Sequence, residues 1–243
     1  MMKWKSLKPW QWLMVIAADI IALCGIVFAV YVSDYYHALP YTVPSNIMVS
    51  KYEDFTLYGD AVNTTGFIFY PGGKVEAKAY EPLMCELAEQ GICCVLVKMP
   101  CNLAVLKPNA ADAVLRQVSA VQEWYIGGHS LGGAMAASYA AKNPDKVRGL
   151  VLLGAYPTAA LAEDFPVLAM TGSEDGVLNR SKYDEAKPLV PHLEEITIEG
   201  GNHAFFGNYG AQSGDGTASM QPKEQWRITA ENIAESMRKD SLR

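Results

Sequence analysis

Between residues 66 and 200 the chain alternates short, almost wholly apolar runs with helical stretches, and this alternation constrains the architecture more than any other feature. Residues 66–70, 92–99, 124–127, 147–154, 167–172 and 196–199 read as strands. Residues 76–90, 108–121, 131–142 and 221–239 have helical spacing. The run at 92–99 is nearly continuous in apolar side chains, as expected of a strand covered on both faces. Strands separated by helices give a mostly parallel sheet with right-handed crossovers and helices on its faces, an α/β fold. In such sheets ligands bind outside the carboxyl ends of the strands, so residues that follow strands are the first to be searched for chemistry.

The 243 residues suffice for one such domain with a short appendage. The appendage is visible at the N-terminus. Lys3, Lys5 and Lys8 precede an apolar stretch over residues 10–32, interrupted by one ionisable side chain, Asp19. About 23 residues at 1.5 Å each are enough to cross a bilayer core. A central Asp costs about 2.5–3.5 kcal/mol on an insertion scale, and the Leu, Ile, Val and Phe residues return roughly 3–6 kcal/mol, so insertion is marginal but favoured. Trp10, Trp12 and Tyr31 near the ends suit interfacial anchoring. The stretch is read as a single-pass anchor; a cleaved signal peptide, with Val27 and Ala29 at the cleavage site, and a buried helix are the alternatives. The lysines place residues 1–9 in the cytoplasm and the rest outside the cell membrane. Residues 33–45 are expected to be a linker, and 46–243 the folded domain.

Lys and Arg number 20 against 26 Asp and Glu, which argues against a nucleic-acid partner. The five cysteines include the adjacent Cys93 and Cys94 in a strand, where successive side chains point to opposite faces. Buried free thiols are expected, a Cys85–Cys101 bridge being the alternative. No P-loop, dinucleotide fingerprint or metal-ligand spacing occurs, so neither cofactor nor metal is expected. Oligomeric state is not legible.

Gly128-His129-Ser130-Leu131-Gly132 matches G-x-S-x-G. A chance match in such a chain has odds on the order of one in ten, so context decides. Here the motif lies between an apolar strand and a small-residue helix, which is the setting a nucleophile elbow needs. Serine is a weak nucleophile without a base. Of His37, His129, His192 and His203, only His203 follows a strand in a loop able to reach Ser130. The base needs a carboxylate to hold it, and Asp175, after strand 167–172, is preferred over Glu174. An oxyanion hole would draw on the Leu131 N–H and on Gly73 or Lys74, in the loop after strand 66–70. The connection over residues 153–165 is too short for a large cap, which leaves an open site. Tyr80, residues 102–106 and residues 205–209 are expected as its walls, with Tyr80 and Phe205 as the substrate-binding candidates.

The runs FIFYPGGKVEAKAYEPL, VLVKMPCNLAVL, GGHSLGGAMA, TGSEDG and GGNHAFFGNYG together resemble the α/β-hydrolase family 5 domain, which is similar to dienelactone-hydrolase-like esterases. The resemblance covers most of the chain from Phe67 onward. It implies the α/β-hydrolase fold, the triad Ser130, Asp175 and His203 in that chain order, and often an N-terminal membrane segment. Ser130 stands where dienelactone hydrolases carry cysteine, so their lactone substrate does not carry over. The expected activity is hydrolysis of a small-molecule carboxylic ester or related acyl bond; an acyltransferase and a non-catalytic binding protein on the same fold are the alternatives.

Overall fold

A computed structural model of the protein describes residues 8–62 and 65–240. Lys3 and Lys5, which set the expected orientation of the anchor, lie outside the described residues. The chain forms two compact units that divide between Tyr35 and Tyr36.

The first unit is one helix, α1 (Pro9–Ser33), 25 residues with no buried side chain. Proline at its first position suits a site whose N–H has no helical partner, and the Lys8 N–H donates to Gln11 Oε1 at 2.8 Å. By length and composition α1 is able to cross a membrane, a measure that a signal sequence also meets.

The second unit is built on an eight-stranded sheet. In chain order its elements are β1 (Val49–Lys51), β2 (Phe55–Tyr58), β3 (Thr65–Tyr70), α2 (Glu81–Glu89), β4 (Cys93–Val97), α3 (Ala111–Gln117) and β5 (Glu123–His129). They continue with α4 (Leu131–Lys142), β6 (Leu150–Leu153), β7 (Val167–Gly172), α5 (Arg180–Ala186), β8 (Leu193–Ile198) and α6 (Pro222–Asp240). The strand order is β1-β2-β4-β3-β5-β6-β7-β8. From β4 to β8 every pair is parallel, whereas β1 and β2 form an antiparallel hairpin on the edge of β4. This is the α/β-hydrolase fold, with a mixed, largely parallel sheet flanked by helices and no large cap insertion.

Alternation along the strands sorts the core into two layers. Ile68, Tyr70, Cys93, Val95, Ile126 and Leu152 pack with Val114 of α3 and Ala136 and Ala137 of α4. Phe67, Phe69, Cys94, Leu96, Val151 and Leu153 pack on the other face with Leu83 and Leu87 of α2 and Ile233 and Met237 of α6. Cys93 and Cys94 thus point to opposite faces, as a two-residue period requires. All five cysteines are free; Cys85, Cys93 and Cys94 are buried, and Cys24 and Cys101 are exposed. Burial raises the thiol pKa of Cys85 to about 11 and that of Cys93 to about 12, chiefly by desolvating the thiolate.

Several elements differ from the sequence reading for definable reasons. Residues 76–90 split into a 3-10 turn (Ala77–Tyr80) and α2; Pro82, at the start of α2, has no N–H to continue a ladder through the junction. The helix expected at 108–121 shrinks to seven residues. Strands β1 and β2 and helix α5 were not foreseen. β1 is exposed throughout and α5 mostly so, which leaves them little apolar period to read. The segment expected to be a linker enters the domain at Tyr36: its N–H donates to Lys74 O (2.7 Å), and Tyr41, Val43 and Ile47 pack on the α2/α6 layer.

α4 lies unusually close to the sheet because its first turns carry small residues. A Cβ on Gly132 would collide with Tyr70 O and Pro71 O, both backbone atoms that cannot swing aside. Gly132→Ala is therefore expected to destabilise the domain by about 1–3 kcal/mol or more, measured by urea unfolding; an unchanged midpoint would contradict this packing.

Candidate active site

The turn from β5 into α4 holds Ser130 at φ 51°, ψ −122°, a conformation that L-residues rarely adopt. Two bonds over-determine it: the Ser130 N–H donates to Leu153 O of β6 at 2.9 Å, and Ser130 O accepts from Ala134 N–H at 3.1 Å. The turn leaves Ser130 half-exposed at the N-terminus of α4, where the Leu131 N–H is one of the donors a helix leaves unpaired. The positive end of the helix favours negative charge developing there.

His203 and Asp175 come from the loops after β8 and β7 and meet beside this turn. His203 Nδ1 lies 2.9 Å from Asp175 Oδ2, with side chains 1% and 0% exposed. Asp175 Oδ1 accepts from the N–H groups of Val177 (2.9 Å) and Leu178 (2.8 Å). Desolvation by itself would raise the Asp175 pKa. The hydrogen bond and charge of His203, with the two backbone donors, outweigh it and hold the carboxyl below its usual range. A carboxylate at Oδ2 requires the proton on Nδ1, so Nε2 carries the imidazole lone pair. Nε2 is buried and has no hydrogen-bond partner among the described residues. The carboxylate of Glu174, the alternative acid, is exposed and accepts from the hydroxyl of its neighbour Ser173 at 3.2 Å.

Gly154, absent from the sequence reading, makes this meeting possible. Its φ is +51°, and a Cβ there would lie 2.8 Å from His203 Nδ1 and 3.1 Å from Asp175 Oδ2. The signal was present as a glycine closing the apolar strand LVLLG. Its meaning depends on which two loops come to rest there.

Tyr80, expected as a wall, is instead wholly buried. Its hydroxyl accepts the Gly72 N–H (3.0 Å) and lies 2.8 Å from His129 Nδ1. The His129 ring packs on that of His203, centroids 4.3 Å apart. Burial, and then the proximity of His203, push the His129 pKa well below its ordinary value of 6.5 and keep it neutral. A position after a glycine-rich loop suits a wall and a support alike, and burial distinguishes the two: Tyr80 is fully buried and does not line the cleft that holds Ser130 and His203.

The loop after β3 brings Gly73 against the elbow: a Cβ on Gly73 would lie 2.8 Å from Leu131 Cδ2. The Gly73 N–H has no partner among the described residues, whereas the Lys74 N–H donates to Asn102 O at 2.8 Å. Of the two expected donors, Lys74 is already occupied.

Ser130 and His203 line one cleft of about 390 Å³. Its other walls are Leu131, Ala134 and Met135 of α4, Gly154, Ala155, Tyr156 and Thr158 after β6, and Val177, Leu178 and Asn179 after β7. Neither Phe205 nor residues 102–106 border it. Phe205 is half-buried, its N–H donating to Asn202 Oδ1. Part of the wall comes from the connection after β6, which the sequence reading took only as too short for a cap.

Two outcomes follow from the buried pair Tyr80–His129. Tyr80→Phe leaves the Gly72 N–H and His129 Nδ1 buried without partners, and should cost about 1–3 kcal/mol in denaturant unfolding. The depressed His129 pKa means the unfolded chain binds its proton more readily. That contribution is fully present above pH 6.5 and is lost as pH falls toward the folded-state value. Unfolding free energy should therefore drop between pH 7.5 and 5.5, less so in His129→Gln; equal slopes would contradict the assignment.

Comparison with known proteins agrees with this architecture. Over 85 residues the chain is 46% identical to a pimeloyl-[acyl-carrier protein] methyl ester esterase of Neisseria meningitidis serogroup C, a match covering 35% of this chain and 32% of that protein. The match thus spans about a third of that relative's length. Est1E from Butyrivibrio proteoclasticus, solved with ferulic acid bound, superposes with a TM-score of 0.58 at 14% identity, covering 82% of this chain and 99% of that one. Carboxyl esterase 2 from Tuber melanosporum superposes with a TM-score of 0.59 at 12% identity, covering 85% and 91%. At such identities the structural likeness speaks to the fold. The family model for alpha/beta hydrolases matches residues 66–227, from β3 through the elbow and both loops into α6, and the chain belongs to the alpha/beta hydrolase family.

Proposed function

We propose that the protein is a serine esterase with the triad Ser130, His203 and Asp175. The observation that carries this reading is a buried imidazole, oriented by a carboxylate at 2.9 Å, whose unpartnered Nε2 shares a cleft with a serine on a strained elbow. Ser130 Oγ attacks the acyl carbon while His203 Nε2 takes its proton. The carbonyl oxygen becomes an oxyanion that accepts from the Leu131 and Gly73 N–H groups, each donor worth about 2.7–4 kcal/mol. Collapse expels the alcohol, which receives the proton from Nε2. Water, deprotonated by the same nitrogen, then releases the acid from Ser130. Asp175 stays ionised throughout and stabilises the transient imidazolium, a role its depressed pKa suits.

His203 apart, the residues lining the cleft are uncharged, and Leu131, Ala134, Met135, Val177 and Leu178 make much of it apolar. This favours a neutral, apolar acyl or alcohol group over a charged one. The partial similarity to a methyl ester esterase supports ester chemistry. α1 serves as a single-pass anchor, with the lysines before it on the cytoplasmic side and the hydrolase domain outside.

Three measurements test the proposal. Ser130→Ala should abolish hydrolysis of short p-nitrophenyl esters in a protein with unchanged circular dichroism; full turnover in that variant would remove Ser130 from the mechanism. Asp175→Asn should lower turnover on the order of 10⁴-fold through loss of the required tautomer, while Glu174→Gln should leave it within about twofold; the reverse ranking would make Glu174 the acid. The full chain should sediment with membranes, and protease added to intact cells should cleave the domain. Complete protection, with a cytosolic control equally protected, would reverse the orientation.

A further inference from the structure

We propose that Asp215 is a positioning residue that clamps the His203 loop to the Asp175 loop; this rests on the esterase reading above. Asp215 lies twelve residues beyond His203, in the segment between the 3-10 turn Ala204–Phe206 and α6. Nothing in its sequence context, Ser213-Gly214-Asp215-Gly216, sets it apart from a solvated turn. Its carboxylate folds back onto the site. Oδ1 accepts the His203 N–H at 3.2 Å and the Gly176 N–H at 3.1 Å, and Oδ2 accepts the Ala204 N–H at 2.8 Å. Oδ1 also accepts the N–H of the adjoining Gly216 at 2.9 Å. One side chain therefore holds the backbone of the base itself and the backbone of the residue next to its acid.

The geometry matters because the two loops belong to neighbouring strands, and the Nδ1–Oδ2 contact is the sum of their positions. Other bonds tie the loops at a greater remove. The Glu174 N–H donates to Gly201 O at 2.9 Å, and Gln225 of α6 holds both backbone groups of Asn202 (3.1 and 2.8 Å). These fix the loop before His203, while the His203 and Ala204 N–H groups themselves are held by Asp215, and the Phe205 N–H that follows donates to Asn202 Oδ1 at 3.0 Å. Two of the donors, His203 and Ala204 N–H, open the 3-10 turn, where a carboxylate is matched to unpaired amides. A charged acceptor suits that place, and an amide in the same position would turn its NH₂ toward at least one N–H donor.

The test uses the full chain in detergent micelles with Asp215→Asn and Asp215→Ala. Three quantities are read: the rate at which a fluorophosphonate labels Ser130, kcat and KM on a p-nitrophenyl ester, and the downfield proton resonance of His203 Nδ1–H. The resonance is identified by its loss in His203→Gln. Misplacing the base lowers labelling and kcat by about 10- to 100-fold, in the order Asp, Asn, Ala, with KM within about twofold. The resonance shifts upfield or exchanges away, which loosening elsewhere in the domain would not produce. An unchanged resonance and labelling rate in Asp215→Asn would overturn the inference, as would a loss confined to KM. Unfolding of both variants would also overturn it, marking Asp215 as a support of the whole domain. Failure of the wild-type protein to label at Ser130 would instead count against the esterase reading, and the resonance would still decide the role of Asp215.

Discussion

A carboxylate and an imidazole buried side by side set the terms for the rest of this structure. Asp175 is charged, its side chain wholly shielded, and such a group is tolerated only when every lone pair that matters is met. Three donors meet it: two backbone N–H groups of its own turn and the Nδ1–H of His203. Each donor belongs to a loop that leaves the carboxyl end of a strand, so β7 and β8 must lie side by side and in register, as they do from Val167↔Leu193 to Gly172↔Ile198. Gly154, at the end of β6, must lack a side chain to leave room. The arrangement is a demand on three consecutive strands and not on two residues.

A second demand follows from the first. The imidazole of His203 packs on that of His129, and two buried cations at 4.3 Å would repel strongly. The fold removes the conflict by keeping His129 neutral: burial depresses its pKa, and the Tyr80 hydroxyl occupies its Nδ1. Tyr80 at the same time holds Gly72, the residue before the proposed oxyanion donor Gly73. One phenol thus couples the loop after β3 to the residue that precedes Ser130, so the proposed donor and the proposed nucleophile share a support.

The cleft that results is mostly uncharged, formed by α4 and by the short loops after β6 and β7. With no large cap insertion, those few side chains would set selection in the proposed esterase. In the proposed setting the N-terminal helix, a compact unit separate from the domain, adds a membrane.

Sequence by itself determined the elements whose stability is local or periodic. Strand β7 and helix α4 appear at the bounds read from the sequence, and the two-residue alternation assigned Cys93 and Cys94 to opposite faces. The strand-to-helix turn that carries Ser130 was legible because its constraint lies within five consecutive residues, and His203 and Asp175 were candidates because each follows a strand. The tertiary structure alone decided which glycines and polar groups surround them. Tyr80 became a buried support instead of a wall, the Lys74 N–H was claimed by Asn102, and Gly154 and Asp215 entered the site from parts of the chain that look like ordinary turns. The physical reason is one of range. Periodicity and turn chemistry act over a few residues and leave a trace in any window of the chain. A close approach or a backbone clamp depends on where distant strands come to rest, and the residues that serve it need no local pattern.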